Sequence, residues 1–161
     1  MNIFSFSGWS GTGKTTLISK LTRELSNRGW KVMAVKKVPD KYHLEPEGKD
    51  SRRFLEHGAE TVYLVAKKEI MRMELTDGTK DLLEFARQDL QEHDFILLEG
   101  LATGKAYNFE VFDPDISDKL KSDKKNLSAI ISEHRVFNDI KFFNRNDISG
   151  LADHLELIKR S

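Results

Sequence analysis

Hydrophobic positions along this chain switch between two spacings, and the switches mark out its elements. Residues 1–6 (MNIFSF) form a short β-branched and aromatic run that stops at Ser7-Gly8, the pattern of a buried first strand. From Thr15 to Arg28 the spacing changes. Leu17, Ile18, Leu21 and Leu25 recur at helical intervals, and Gly29 supplies a C-terminal stop. Residues 30–37 (WKVMAVKK) read as a second strand, ended by Pro39-Asp40. Residues 38–48 carry Pro39, Pro46 and Gly48 among polar positions and read as a loop. Residues 49–58 follow as a short helix with Phe54 and Leu55 on its apolar side and Gly58 at its close. Residues 60–65 (ETVYLV) and 70–75 (IMRMEL) flank Ala66-Lys67-Lys68-Glu69 and predict a β-hairpin. After a turn at 76–79, residues 80–92 place Leu82, Leu83, Phe85, Ala86 and Leu90 on one side of an amphipathic helix. Residues 95–98 are continuously apolar and run into Glu99-Gly100. Short strands are predicted at 108–112, 127–132 and 140–143, and a last helix at 147–159 with Leu151, Leu155 and Ile158 on one face.

Strands alternating with helices predict an α/β fold, a mostly parallel sheet with helices on both faces plus a hairpin extension. The chain has 161 residues, the size of a single domain with a real core, and shows no repeat or linker. Lys+Arg and Asp+Glu both number 26, so net charge offers no footprint for nucleic acid or for a membrane surface. There are no cysteines, which excludes disulfides, thiol catalysis and Cys-ligated metals within the chain. No apolar run reaches membrane-spanning length, and the first strand starts too early for a cleaved leader, so a cytoplasmic location is expected.

The candidate chemistry sits at the first strand-to-helix turn. Gly8-Trp9-Ser10-Gly11-Thr12-Gly13-Lys14-Thr15 is G-x-x-x-x-G-K-[ST], the phosphate-binding loop of nucleoside triphosphatases. Glycines bring backbone amides close to phosphate oxygens, and the helix behind them offers its positive end. Gly8, Ser10, Gly11, Thr12, Gly13, Lys14, Thr15 and Thr16 are therefore the expected nucleotide contacts. Lys14 is placed to reach the β- and γ-phosphates, and Thr15 to offer its hydroxyl to Mg²⁺.

Such a metal also needs a carboxylate. Glu99 ends the apolar run at 95–98, and a strand beside the first would deliver it at the carboxyl edge of the sheet. The competing reading is a polar residue that merely ends a strand. Asp50, in Gly48-Lys49-Asp50-Ser51, is a second candidate, for metal or for the attacking water, with a helix N-cap as its alternative. The other signals are weaker. Lys36-Lys37 either grips an anion or ends a strand in water, and the charge run 119–125 is expected to face solvent. Five histidines show no zinc spacing, and no Asn-Lys-x-Asp motif fixes the base.

Taken together, the loop with Thr16-Leu17, the Gly48-Lys49-Asp50-Ser51 block, Gly58-Ala59, Leu97-Leu98-Glu99-Gly100 and Asn146-Asp147-Ile148-Ser149-Gly150-Leu151-Ala152-Asp153 resemble the MobB family of molybdopterin-guanine dinucleotide biosynthesis adapter proteins. The resemblance runs in order over nearly the whole chain. It implies a GTP-binding protein with weak GTPase activity that forms a homodimer. It also implies a partner, the MobA-type guanylyltransferase that joins GMP to molybdopterin, and it favours a functional Asp50. Two other readings stay open on the residues alone. One is a small-molecule kinase. The other is a non-catalytic module that dimerises through the hairpin, with Tyr63, Met71 and Met73 as candidate interface residues.

Overall fold

A computed structural model describes residues 2–38, 50–75, 91–101 and 103–160. All but the first residue of the loop predicted at 38–48, the turn at 76–79 and all but the last two residues of the helix at 80–92 lie outside the described residues. The chain divides into two compact units, Met1–Lys37 with Arg87–Ser161, and Val38–Ala86.

The first unit is built on six strands: β1 (Ile3–Ser7), β2 (Val32–Lys36), β5 (Phe95–Glu99), β6 (Tyr107–Val111), β7 (Ala129–Ser132) and β8 (Phe142–Asn144). Their order is β2-β5-β1-β6-β7-β8, and every neighbouring pair is parallel. Parallel strands need crossovers, which explains why strands and helices alternate along the chain. β1 and β6 occupy the middle of the sheet, and β5, beside β1, opens with four consecutive buried apolar residues.

Side chains alternate across each strand. Phe4, Phe6, Phe95, Leu97, Phe109, Val111 and Ile131 share one buried face. On this face lie α1 (Lys14–Asn27), through Leu17, Ile18, Leu21 and Leu25, and α3 (Ile148–Arg160), through Leu151, Ala152 and Leu155. Arg28 ties the two helices together, reaching Glu24, Asp153 and Glu156 at 2.8, 2.5 and 3.0 Å. α1 stops where Gly29 turns to φ +87° and Trp30 N–H donates back to Leu25.

The second unit contains α2 (Asp50–Glu56) and the antiparallel pair β3 (Thr61–Val65) and β4 (Ile70–Glu74), the predicted hairpin. Its small core is Leu55, Val62 and Met73. Met73 is therefore a packing residue rather than an interface candidate, whereas Tyr63 and Met71 are exposed. Phe54 points outward too, leaving Leu55 as the apolar anchor of α2.

Candidate functional site

The turn from β1 into α1 owes its path to three glycines. Gly8, Gly11 and Gly13 have φ of +137°, +87° and +85°, a region where an L side chain crowds the backbone. Gly8 has a second reason to lack a side chain. A Cβ there would lie 2.3 Å from the carbonyl oxygen of Val111 on β6. Thr12 closes the turn by donating its hydroxyl to Trp9 O at 3.0 Å. Gly13 caps α1 without any side-chain hydrogen bond to the free amides of the first turn. Those amides, together with the positive end of the helix dipole, are what an anion would use.

Lys14 arches back over the turn, its Nζ donating to Trp9 O at 2.6 Å. Its pKa is lowered from the ordinary lysine value. Burial is the main cause and the nearby Lys121 ammonium the second, with Glu99 pulling the other way. Thr15, one residue into the helix, donates its hydroxyl to the Glu99 carboxylate, 2.8 Å from Oε1 and 2.9 Å from Oε2. Register explains the meeting. β5 lies directly beside β1, with Phe6 opposite Glu99, so the acid arrives next to the start of α1. Lys36, at the end of β2 on the other side of β5 and opposite Glu99 in register, completes the cluster. Its Nζ is 3.1 Å from Glu99 Oε1 and 3.2 Å from Thr15 Oγ1.

A pocket of about 330 Å³ opens here, lined by Ser10, Gly11, Gly13, Lys14, Thr15, Thr16, Lys36 and Glu99. A second hollow of about 250 Å³ also borders Gly13 and Thr16 and runs to Arg145 and Asn146 beyond β8. One hydroxyl and one carboxylate in contact are a fitting protein share for Mg²⁺, which takes its other oxygens from phosphates and water. Among the described residues no group of three His, Cys, Asp or Glu forms a cage for a metal.

Of the predicted positions, the structure brings Thr15 and Glu99 into contact and sets Lys14 beside them. Asp50 is the first residue of α2 in the other unit. The neighbouring Arg52 pairs with Glu56 along the helix at 3.2 Å. Two features escaped the sequence reading. Glu110 on β6 is fully buried, accepting backbone N–H bonds from Lys121 at 2.5 Å and Ser122 at 2.8 Å. Trp9 Nε1 donates to Lys119 O at 2.9 Å. The charged 119–125 run does expose Lys119, Lys121 and Lys125, but its backbone is strapped to the phosphate-loop side of the sheet. An acid at an inward position of a strand, Glu110 in NFEVF, was the available signal.

A parallel sheet, a glycine-rich turn running into a helix, and an acid delivered by the adjacent strand define a P-loop NTPase-type fold. The family model "MobB: Molybdopterin guanine dinucleotide synthesis protein B" matches residues 3–133. The chain belongs to the MobB family. It is 29% identical over 157 residues to the molybdopterin-guanine dinucleotide biosynthesis adapter protein of Escherichia coli (strain K12), covering 94% of this chain and 89% of that protein. It is 28% identical over 155 residues to the protein of the same name from Haemophilus influenzae, covering 96% and 87%. The Bacillus subtilis MobB crystal structure shares the fold, with a TM-score of 0.73, 23% identity, and 99% and 98% of the two chains aligned.

Proposed function

We propose that the chain is a GTP-binding adapter in molybdenum cofactor maturation, assisting a MobA-type guanylyltransferase that makes molybdopterin guanine dinucleotide. Both compact units are taken as parts of one nucleotide-binding domain, acting as a homodimer in the cytoplasm. The observation that carries the reading is the Thr15–Glu99 contact of 2.8 Å at the mouth of the glycine turn. Gly8, Gly11 and Gly13 shape the cradle, and the amides of Ser10 to Thr16 hold the phosphate oxygens. Lys14 leaves Trp9 O for the bridge between the β- and γ-phosphates, where an anion restores the charge that burial disfavours. Thr15 and Glu99 would hold Mg²⁺, which would supply neutralisation of the charge on those phosphates. Asp50 is assigned to the metal's outer shell or to the attacking water. Ribose and base extend along the hollow toward Arg145 and Asn146. Slow hydrolysis follows if no cation beyond Lys14 and the metal reaches the γ-phosphate in the transition state, since a supplied arginine is worth about 10³–10⁵ in rate.

Calorimetry with Mg²⁺-GTP and Mg²⁺-ATP, on the natural chain and on Lys14→Ala, tests the site. GTP should bind the natural chain more tightly than ATP, and Lys14→Ala should lose binding while keeping its circular dichroism. Unchanged GTP affinity in Lys14→Ala defeats the assignment. Co-purification with a MobA-type guanylyltransferase tests the adapter role, and failure of the two to associate in the presence of GTP overturns it.

A further inference from the structure

Glu110 is a charged residue that the nucleotide reading leaves without a task. It lies on β6 between Phe109 and Val111 and is fully buried. A buried acid is costly unless hydrogen bonds offset its lost hydration. Here both carboxylate oxygens go to the backbone of one short strap. Oε1 accepts from Lys121 N–H at 2.5 Å, and Oε2 from Ser122 N–H at 2.8 Å. Register sets Glu110 opposite Ser7, the last residue of β1, so the acid sits where the sheet hands the chain to the glycine turn.

Further bonds fix the strap to that turn. Ser122 Oγ donates to Ser7 Oγ at 2.8 Å, and Ser7 Oγ donates to Phe109 O at 3.2 Å. Trp9 Nε1 donates to Lys119 O at 2.9 Å. Residues 119–122 therefore run alongside residues 7–9, the first leg of the loop. At Lys121 the anchor is the backbone amide, and the residue is otherwise exposed. Its ammonium is close to that of Lys14: burial lowers the Lys14 pKa most, and Lys121 comes next, ahead of Lys36. With Ser7 and Gly100, Lys121 also lines a hollow at the carboxyl ends of β1 and β5.

The direction of a bound nucleotide decides which phosphate lies here. Ribose and base take the hollow that leads from Gly13 and Thr16 to Arg145. The phosphates then run the other way, past Lys14 toward Glu99 and Gly100, and the terminal one comes last. Two ammonium groups gathered at that end repel each other, and an anion between them turns the repulsion into attraction. A triphosphate brings that anion, whereas a diphosphate stops short.

We infer that Lys121 is a second lysine contact to the terminal phosphate, and that buried Glu110 is the positioning residue that holds the strap for it. The inference rests on the nucleotide reading above, but not on its choice of base. A contact made equally in the ground and transition states strengthens binding without speeding hydrolysis. Lys121 therefore sorts triphosphate from diphosphate, and the expectation of slow hydrolysis stands.

The test titrates GTP, GDP, ATP and ADP with Mg²⁺ into the full chain and its variants by calorimetry. The readout is the ratio of triphosphate to diphosphate affinity. Lys121→Met should lower this ratio about tenfold, the scale of a charge-assisted hydrogen bond. Lys119→Met removes the same charge from the same strap and should change the ratio less than about twofold, because a solvated charge is screened. A ratio changed less than about threefold in Lys121→Met, or lowered equally in both variants, overturns the contact. Glu110→Gln, which keeps one acceptor oxygen, should lower the ratio severalfold in the natural background and add nothing in Lys121→Met, since both act through one ammonium. An equal drop in both backgrounds overturns the positioning role. Thermal unfolding checks each variant. Should Glu110→Gln unfold, Trp9→Phe, which releases Lys119 O and keeps a ring, is read in its place. The GTP reading is scored apart, on GTP against ATP and on Lys14→Ala. A chain indifferent to base still tests Lys121, and one that binds no triphosphate overturns both.

Discussion

Gly8 and Gly13 carry equal weight in the phosphate-loop motif, yet the structure separates them. Each has positive φ, +137° and +85°, so a Cβ at either position meets backbone crowding of about 1–2 kcal/mol. Against this, alanine narrows the unfolded ensemble and returns about 0.4–1 kcal/mol. At Gly13 nothing lies within 4 Å of the added carbon, so the account ends there. Gly13→Ala should therefore destabilise the fold by about 1 kcal/mol or less. At Gly8 the carbon would lie 2.3 Å from Val111 O and 3.0 Å from Thr12 Oγ1. The first is a backbone atom held in the β6–β7 ladder region, which cannot swing aside as a flexible side chain would. Overpacking of this kind adds about 1–3 kcal/mol, so Gly8→Ala should cost about 2–4 kcal/mol in all. Urea unfolding followed by Trp9 and Trp30 fluorescence measures both, with unchanged m-values as the condition for comparing midpoints. If Gly8→Ala proves no less stable than Gly13→Ala, the tight approach of the loop to β6 is wrong, and the geometry of the phosphate cradle falls with it.

Arg28→Ala should destabilise the fold by about 1–3 kcal/mol, because one guanidinium serves Glu24, Asp153 and Glu156 across α1 and α3; urea unfolding at low and high salt reads it. GTP affinity should decline at alkaline pH sooner than an ordinary lysine would allow. Bound phosphates raise the lowered pKa of Lys14, so affinity is full below the free-protein pKa and is lost as pH rises through the bound one; calorimetry in buffers of different ionisation enthalpy should register proton uptake there. Lys36→Met should let Mn²⁺ bind severalfold more tightly without nucleotide, since its ammonium sits against the same Glu99 and Thr15 oxygens; electron paramagnetic resonance of free Mn²⁺ would show no change if the residues do not share a cation position.

Elements that bury a continuous stripe were legible from the residues. α1 and α3 announce themselves through helical spacing, β1 through a short β-branched and aromatic run, β5 through an unbroken apolar one, and the hairpin through its polar turn. Boundaries at the sheet edge were less so. The last strand was expected at 140–143 and lies at Phe142–Asn144, because an edge strand buries little and composition constrains it weakly. Residue-level direction was the other gap. Phe54 and Leu55 look alike in sequence, but a seven-residue helix buries only one of them, and packing against Val62 and Met73 selects Leu55.

The site divides along the same line. A loop motif names its own residues because amide geometry, glycine and a following helix are all local in sequence. Glu99 was readable because a buried parallel strand must end at the ligand edge of the sheet. Lys36 and Glu110 depend on strand order, which no local pattern states. Only the sequence β2-β5-β1 puts Lys36 beside Glu99, and only β6 packed against β1 puts Glu110 under the strap that carries Lys121. The residues most informative about how this site works are thus those that adjoin across the ladder while lying 63 positions or more apart in the chain, and a charge run dismissed as solvated is the one whose backbone the buried acid holds in place.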